Sequence, residues 1–453
     1  QVDKNGASAV YGSDAIAGVV NVILRKEFQG FKATGEAGTS ERGDGTMEHF
    51  GFIGGIGSLA DDGYNWYVSG EFRHQDQILA SHRSGLWDTL DWTPWEGTYG
   101  AATNIGASPA TNPIFAFPQS TTGYLIDPGY GQNDPAAGQI VSYLPGCDAQ
   151  SQAMNRCLAI YPGSQLQPAT GRFDVISKFT KQLAGDWQLG IQASWFNSSS
   201  QEVSGYSPGV ENVGGVSNIV FGPGVPVSVV PASSLITPNI ITIPSTNPMY
   251  PTAMCPAAGG GPAWCGQGLA FQYAFPELGA ASILTNTNTY RLLANIDGDA
   301  GGWRIHGTAG AMYARMSYEV TGQINWQDLQ SALNNGYVFG SGGATQLFAP
   351  VMETNPWSEL DLIDVHGTHT LFQLPGGPLD LAIGAQYYKK VQDEHAPDAA
   401  VEGLQSEAGG PIYVIGTEKD AAGFAELDGK PIKQLEIDAA ARYDDYQTFG
   451  SAV

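Results

Sequence analysis

Residues 303–313 read WRIHGTAGAMY, and the odd and even positions of this stretch differ in kind. The odd positions are apolar or small, from Trp303 to Tyr313, whereas the even positions include Arg304 and His306. Successive side chains of a β-strand point to opposite faces, so the alternation predicts a strand with one apolar and one polar face. The same alternation recurs in residues 64–75, 187–199 and 433–446.

Continued along the chain, this pattern predicts an all-β protein with eleven strands. The predicted strands lie near residues 31–39, 48–60, 64–75, 171–183, 187–199, 289–299, 303–318, 358–373, 379–392, 417–427 and 433–446. Many exceed ten residues, whereas ordinary strands average about 5–6.

The connections between these strands are of two kinds. Short turns are predicted near residues 61–63, 184–186, 299–302, 374–378 and 428–431. Between them come long irregular stretches near 76–170, 200–288, 319–357 and 393–416. Short turns on one edge and long loops on the other are typical of a transmembrane antiparallel β-barrel of the outer membrane. Compact soluble domains rarely contain loops of this length.

Aromatic residues support the same interpretation. Trp66, Trp187 and Trp303 each stand at or just after a short turn, and Phe72, Trp195 and Tyr313 follow on the same strand face. Tyr443 is added by the last predicted strand. These spacings fit the two aromatic girdles that bound the apolar band of such a barrel. The alternative is that they are core aromatics of a soluble β-sandwich.

Composition excludes several classes of function. Of 453 residues, 20 are Lys or Arg and 44 are Asp or Glu, so the formal net charge is −24. A nucleic-acid partner is therefore not expected, because binding phosphates requires clustered positive charge. The 42% hydrophobic content argues against disorder. No apolar run reaches the ~18 residues of a spanning helix.

The four cysteines form two close pairs, Cys147 with Cys157 and Cys255 with Cys265. Neither pair has the spacing of a metal site, and no histidines cluster near them. We expect two local loop disulfides formed in an oxidising compartment.

Motifs of catalysis and metal binding are weak in this sequence. The stretch GYSPG at residues 205–209 matches the nucleophile elbow of hydrolases, but Pro208 and the residues that follow do not favour the required helix. His366 and His369 have opposite parity on one strand and cannot share a face. We therefore expect no enzyme activity, no resident metal and no cofactor.

The first long loop is rich in aromatic residues, including Trp87, Trp92, Trp95 and Tyr99. Their faces could stack on a sugar or an aromatic siderophore, or could pack the loop against itself. Just before them, a local basic patch could form from Arg73, His74, His82 and Arg83.

Residues 5–26, NGASAVYGSDAIAGVVNVILRK, differ from everything that follows. They resemble the end of the plug domain of TonB-dependent outer-membrane receptors. The matching positions, in order, are Gly6, Tyr11, Gly12, Ser13, Ala15, Gly18, Val19, Val20, Asn21 and Ile23. A weaker resemblance to barrel hairpins of these receptors covers residues 374–387 and 435–450.

The resemblance implies a domain division and a mechanism. Residues 1–28 would end a plug domain, and residues 29–453 would form the N-terminal half of a barrel that has twenty-two strands in the family. Such a receptor lies in the outer membrane of a Gram-negative bacterium, in contact with the lipid bilayer. It binds a scarce ligand, such as a siderophore, cobalamin or an oligosaccharide, and imports it with energy delivered by TonB. The segment that contacts TonB is expected to lie outside this chain.

Two rival interpretations stay open at this point. One is an outer-membrane binding or adhesin-type barrel without active transport, and the other is a secreted β-rich glycan enzyme. The plug-like segment argues against the first, and the absence of convergent acids on one strand face argues against the second. For the receptor we expect an open curved sheet, because the sequence reads as a fragment. Its first and last strands should each expose an edge, and residues 1–26 should lie on the polar face near Glu36, Tyr67, Glu71 and Gln188.

Overall fold

A computed structural model describes most of the chain. The described residues are 2–3, 19–20, 25–83, 124–126, 140–144, 163, 165–206, 242–257, 261–262, 264–273, 275–322, 324, 326–342, 351–395 and 414–452. Within them, no helix is both long enough and apolar enough to cross a membrane.

All eleven predicted strands are present, and they form one antiparallel sheet in which each long strand pairs with the next along the chain. They are β1 (Gly30–Gly38), β2 (Met47–Ile56), β3 (Tyr64–Gln75), β4 (Ala169–Gln182), β5 (Gln188–Tyr206), β6 (Ala280–Ala300), β7 (Trp303–Thr321), β8 (Trp357–Gln373), β9 (Pro378–Glu394), β10 (Val414–Ile432) and β11 (Leu435–Tyr446).

Shorter helices and strands lie outside the eleven long strands. Helix α1 spans Trp326–Asn334, and single 3₁₀ turns lie at Ala80–His82, Thr252–Met254 and Pro276–Leu278. Separate small sheets pair Val2–Asp3 with Val19–Val20, Ile78–Leu79 with Gln165–Gln167, and Tyr124–Ile126 with both Ile140–Tyr143 and Ala270–Gln272.

The sheet is open, as predicted, because β1 and β11 are not paired with each other. One detail of the prediction is wrong, since the edge of β11 is partly covered. A short strand, Gly450–Ala452, pairs with Asp444–Tyr446. The chain turns back on itself at residues 447–449 and begins another hairpin, so only part of β11 keeps a free edge.

The short turns follow from glycine. Gly301 and Gly302 form the two-residue connection between Ala300 and Trp303, with φ angles of 59° and 85°. Positive φ at both central residues is what a tight hairpin turn of this kind requires, and glycine adopts it without steric cost. The turn therefore sets the register of β6 and β7 at the short-turn edge.

The two faces of the sheet differ as the alternation predicts. We call the face that carries Trp66, Trp195 and Tyr313 the apolar face, and the opposite one the polar face. Directly paired residues of antiparallel strands share a face, and the pairing register places Trp66, Ile191 and Ala309 in line.

Large apolar side chains are left exposed along the apolar face. The side chain of Trp66 is 47% exposed, and Phe72, Trp195 and Tyr313, which lie farther from the short turns, are also exposed. Ile363, Val365 and Ile437 extend the exposed surface over β8 and β11. Monomeric soluble proteins rarely leave a contiguous apolar surface of this extent in water.

The predicted aromatic positions follow this division. Trp66 lies two residues into β3, Trp303 begins β7 and Trp187 directly precedes β5, so all three stand at the short-turn edge. The Trp187 ring covers Gly298, and the Trp303 ring covers Gly367 and stacks on His369 with ring centroids 5.2 Å apart. Gly298 and Gly367 leave room for these rings on the apolar face.

Candidate ligand-binding site

The one hydrophobic cluster of buried side chains found among the described residues lies in the long loops. The described residues of segment 242–279, between β5 and β6, pack against those of segment 324–342, between β7 and β8, and we call these described residues the loop cap. Its buried side chains include Ile243, Tyr250, Trp264, Leu269, Phe271, Phe275, Leu329, Leu333 and Phe339. The cap is therefore a packed unit at the long-loop edge of the sheet.

A disulfide and side-chain hydrogen bonds hold the loop cap together. Cys255 and Cys265 are bonded, with their Cα atoms 5.6 Å apart. The buried side chain of Asn247 donates to the carbonyl oxygens of Leu333 and Tyr337, at 2.8 and 3.0 Å. These bonds tie the second long loop to the end of α1.

Glu277 joins the two halves of the cap by accepting three hydrogen bonds. The hydroxyl groups of Tyr273 and Tyr337 donate to its carboxylate at 2.9 Å each, and the backbone N–H of Gly340 donates at 3.0 Å. Burial, followed by the nearby charge of Glu277, raises the pKa of both tyrosines well above their usual range. Both hydroxyls therefore stay protonated and remain donors.

The polar face below the cap carries a pair of histidines on neighbouring strands. His306 of β7 lies directly opposite His366 of β8, and their ring centroids are 4.9 Å apart. Nδ1 of His306 lies 2.6 Å from Asp297, and Nδ1 of His366 lies 2.8 Å from Asp364. The sequence analysis missed this pair, because the two residues are 60 positions apart and only the strand register brings them together.

A second polar cluster lies on β9 to β11 of the same face. The Arg442 guanidinium donates through Nε to Asp444 at 2.8 Å and through Nη2 to Gln386 at 3.0 Å. Asp420, which is 1% exposed, lies 3.9 Å from Nη2 of Arg442. No group of three or more side chains suited to hold a metal ion occurs in the described ranges.

Residues Arg25–Phe28 lie on the polar face, where the plug remnant was predicted. The hydroxyl of Tyr67 and the ammonium of Lys178 both donate to the carbonyl oxygen of Arg25 at 3.1 Å. The hydroxyl of Thr180 donates to the carbonyl oxygen of Lys26 at 3.0 Å. The contact with Tyr67 agrees with the prediction.

The other predicted neighbours of this segment form contacts with other residues. Glu36 and Glu71 flank His49 instead, at 3.5 and 3.0 Å. Gln188 lies within hydrogen-bond reach of Gln182, at 3.5 Å.

Most of the sequence-predicted site residues lie outside the described residues. These are the plug motif Gly6, Tyr11, Gly12, Ser13, Gly18 and Asn21, the loop aromatics Trp87, Trp92, Trp95 and Tyr99, and the pair Cys147 and Cys157. Cys255 and Cys265 are described, and they form the loop disulfide expected from their spacing.

The basic patch is neutralised by neighbouring acids. Arg83 donates to both carboxylate oxygens of Asp44, at 2.6 and 3.1 Å, and His82 lies 3.4 Å from the same group. Arg73 and His74 face Glu71 and Asp76, at 3.6 and 3.1 Å. These four residues therefore offer little free positive charge to an anionic ligand.

No protein-family model matches the chain, and no curated protein sequence matches it. Several solved structures are similar to the chain. The siderophore receptor PirA from Acinetobacter baumannii is 10% identical, with 99% of this chain aligned to 43% of that one and a TM-score of 0.45. A mutant of the ferric enterobactin receptor PfeA from Pseudomonas aeruginosa is 10% identical, with 99% of this chain aligned to 44% of that one and a TM-score of 0.46.

A third similar structure is the ferric-catecholate import receptor Fiu from E. coli K12. It is 10% identical, with 93% of this chain aligned to 56% of that one and a TM-score of 0.29. The chain spans between 43% and 56% of the length of these three receptors.

Proposed function

We propose that this chain is part of an outer-membrane receptor that binds a scarce small ligand at the cell surface and imports it with TonB-transduced energy. The observation that carries the proposal is the exposed apolar face of an eleven-strand sheet whose other face is polar. In water such a face would drive aggregation, whereas lipid satisfies it. Outer-membrane barrels have this arrangement of an apolar exterior and a polar interior.

The domain division follows the contacts of the polar face. Residues 1–28 would be the end of the plug, since Arg25–Phe28 already lie against Tyr67 and Thr180 on the side that a barrel encloses. Residues 29–453 would belong to the barrel wall and its loops. The loop cap would lie outside the cell, at the edge opposite the short periplasmic turns.

The ligand class is the finer part of the proposal, and a siderophore, cobalamin and an oligosaccharide are its three candidates. The test uses the source bacterium with the gene that encodes this chain deleted, and again with TonB deleted. Uptake of radiolabelled ferric siderophore, cobalamin and oligosaccharide is measured in each strain. We expect uptake of one ligand to fall in both deletions and to return when the whole gene is restored.

The adhesin-type alternative predicts a different result. Labelled ligand would still bind to the cell surface, but no ligand would enter in a manner that depends on TonB. Two results together would contradict the receptor proposal. One is unchanged uptake of all three ligands in the gene deletion, and the other is a location of the protein outside the outer-membrane fraction in the wild-type strain.

A further inference from the structure

The apolar face changes character one row of residues beyond its upper aromatics. Trp195 of β5, Tyr290 of β6 and Tyr313 of β7 are aligned by the pairing register. The next aligned set is Asn197, Asn288 and Arg315, followed by Ser199, Asn286 and Ser317. On β5, β6 and β7 the face therefore passes from an aromatic row to two polar rows within a single step along the strands, before Leu284 of β6.

A cavity of about 440 Å³ opens in this polar zone. Its polar lining consists of Asn286, Asn288, Arg315, Ser317, Glu319 and Asn355. One side is bounded where the partner of β7 changes from β8 to the short strand Met352–Thr354. All the lining residues except Asn355 therefore lie on strands β6 and β7.

Aromatic side chains lie beside the cavity lining on the same face: Trp195, Tyr290 and Tyr313 are one row nearer the short turns, and Trp357 is paired with Arg315. Trp195 stacks on Tyr290 with ring centroids 6.4 Å apart, and Tyr313 stacks on Trp357 at 6.0 Å. Flat aromatic surfaces beside polar groups suit a ligand with one apolar and one hydroxylated side. Sugar rings have this character.

Hydrogen bonds fix the lining amides in place. The indole N–H of Trp195 donates to Oδ1 of Asn288 at 3.0 Å, and Nδ2 of Asn197 donates to Oδ1 of Asn286 at 2.8 Å. The side chains of Arg315, Ser317 and Glu319 form no hydrogen bond or ion pair with the part of the chain that the structure describes. Donors and acceptors are therefore available to a ligand at fixed positions.

The charges of the lining indicate which ligand fits. Arg315 and Glu319 carry opposite charges, so the cavity does not select an anion such as a phosphate. Three amides, a hydroxyl, a guanidinium and a carboxylate can pair with the donor and acceptor of every sugar hydroxyl. The chemistry therefore favours a neutral, hydroxyl-rich ring.

We propose that this cavity binds a sugar of the glycolipid headgroups in the outer leaflet of the membrane. The inference rests on the proposed function, because the apolar face meets lipid only if the chain forms part of an outer-membrane barrel. Girdle aromatics mark the level of the headgroups. A sugar-binding cavity directly beyond them, on the outward face, is aligned with lipid headgroups and faces away from the import path.

The test uses the complete gene product, purified in detergent. The probes are rough-type lipopolysaccharide, its core oligosaccharide freed of lipid and of phosphate, and phosphatidylglycerol, each measured by native mass spectrometry. The test variant combines Asn286→Ala and Arg315→Ala. The matched control combines Thr287→Ala and Arg291→Ala, which lie on β6 but on the polar face.

We expect the test variant to bind both lipopolysaccharide and its core oligosaccharide about tenfold more weakly, the loss that one or two hydrogen bonds represent. The control should bind like the wild type, and phosphatidylglycerol binding should be the same in all three proteins. Ser317→Trp, which fills the cavity, should reproduce the loss and serves as a second test if the double variant does not fold.

Equal binding of lipopolysaccharide by the wild type, the test variant and Ser317→Trp would overturn the inference. A loss of phosphatidylglycerol binding in the test variant as large as the loss of lipopolysaccharide binding would also overturn it, because the effect would then not depend on the sugar. Loss of lipopolysaccharide binding without loss of core-oligosaccharide binding would assign the contact to the acyl chains. In each of these cases, ligand uptake would be unchanged, so the receptor proposal would stand.

Discussion

The side chain of Asn65 forms two hydrogen bonds with the backbone of Phe28, as a neighbouring strand residue would. Its Oδ1 accepts from the N–H of Phe28 at 3.1 Å, and its Nδ2 donates to the carbonyl oxygen of the same residue at 2.9 Å. The same amide also donates to the carbonyl oxygens of Ile56 and Gly57. One fully buried side chain therefore fastens the segment before β1 to β2 and β3.

We predict that Asn65→Leu loosens this segment. Leucine leaves two backbone groups of Phe28 without partners, at a cost of about 1–3 kcal/mol. Hydrogen exchange at the amide of Phe28 should accelerate, while exchange in β8 and β9 stays the same. Asn335→Leu, which removes only an exposed hydrogen bond to Ser331, is the control and should leave the exchange at Phe28 unchanged.

Glu277→Gln should weaken the contact between the two halves of the loop cap. A carboxylate accepts hydrogen bonds through both oxygens, whereas an amide accepts through one, so at least one donor loses its partner. We expect a local loss of about 1–2 kcal/mol, measured as faster hydrogen exchange at Gly340 and faster proteolysis within residues 337–342.

The matched control is Glu353→Gln, because Glu353 accepts a single hydrogen bond from Asn355 outside the cap. If hydrogen exchange at the Gly340 amide is as slow in Glu277→Gln as in Glu353→Gln, Glu277 does not join the two halves of the loop cap.

Acid should loosen the connection between β1 and β2. Hydrogen bonds from Arg83 and then Ser40 hold the pKa of Asp44 well below its usual range. A carboxyl group whose pKa is depressed by folding stabilises the folded state above its unfolded pKa, and the contribution is lost as pH falls toward the folded pKa. The protection of the Gly43 amide, which is its intrinsic exchange rate at each pH divided by its observed rate, should therefore fall below about pH 4.

Asp44→Asn removes the titrating group, so the protection of Gly43 in this variant should be low at neutral pH and should change little with acid. Glu41→Gln is the control and should retain the acid dependence of the wild type. The same acid dependence in Asp44→Asn would show that another group is responsible.

Removing the disulfide should destabilise the loop cap and leave the sheet intact. Cys255 and Cys265 are ten positions apart along the chain, and closing a loop of this length corresponds to about 2–3 kcal/mol in the chain-entropy description. The variant Cys255→Ser with Cys265→Ser should expose residues 251–268 to protease at lower temperature. Circular dichroism of the strands should not change, and a loss of strand signal would mean that the cap supports the sheet.

The strands were predictable because their alternation is local, whereas several boundaries were not. Strand β6 was predicted near residues 289–299, but it begins at Ala280. Residues 285–289 read TNTNT, which is polar on both faces, so this part of the strand gives no alternation signal. The surface it forms is the polar zone beyond the aromatics.

The loop cap and the histidine pair were beyond the reach of sequence patterns. Asn247 meets Leu333 across two long strands, and the cap core joins segments that are about 80 residues apart along the chain. His306 and His366 meet only through the register of β7 with β8. Contacts of this kind depend on tertiary geometry, which local alternation does not contain.

The pairing register that aligns Trp66 with Ile191 and Ala309 continues through Ile363, Tyr387 and Ala421 to Asp445. Along this line the distance from the short-turn edge grows, because Trp66 is two residues after Tyr64 but Asp445 is ten residues after Leu435. The line thus climbs eight residues over the eight steps from β3 to β11, which is one residue for each strand. With ~3.3 Å per residue and ~4.8 Å between strands, the strands are tilted by about 35° from the normal to that edge. Transmembrane barrels require a tilt of about 35–45°, so the stagger of these strands is already that of a closed cylinder.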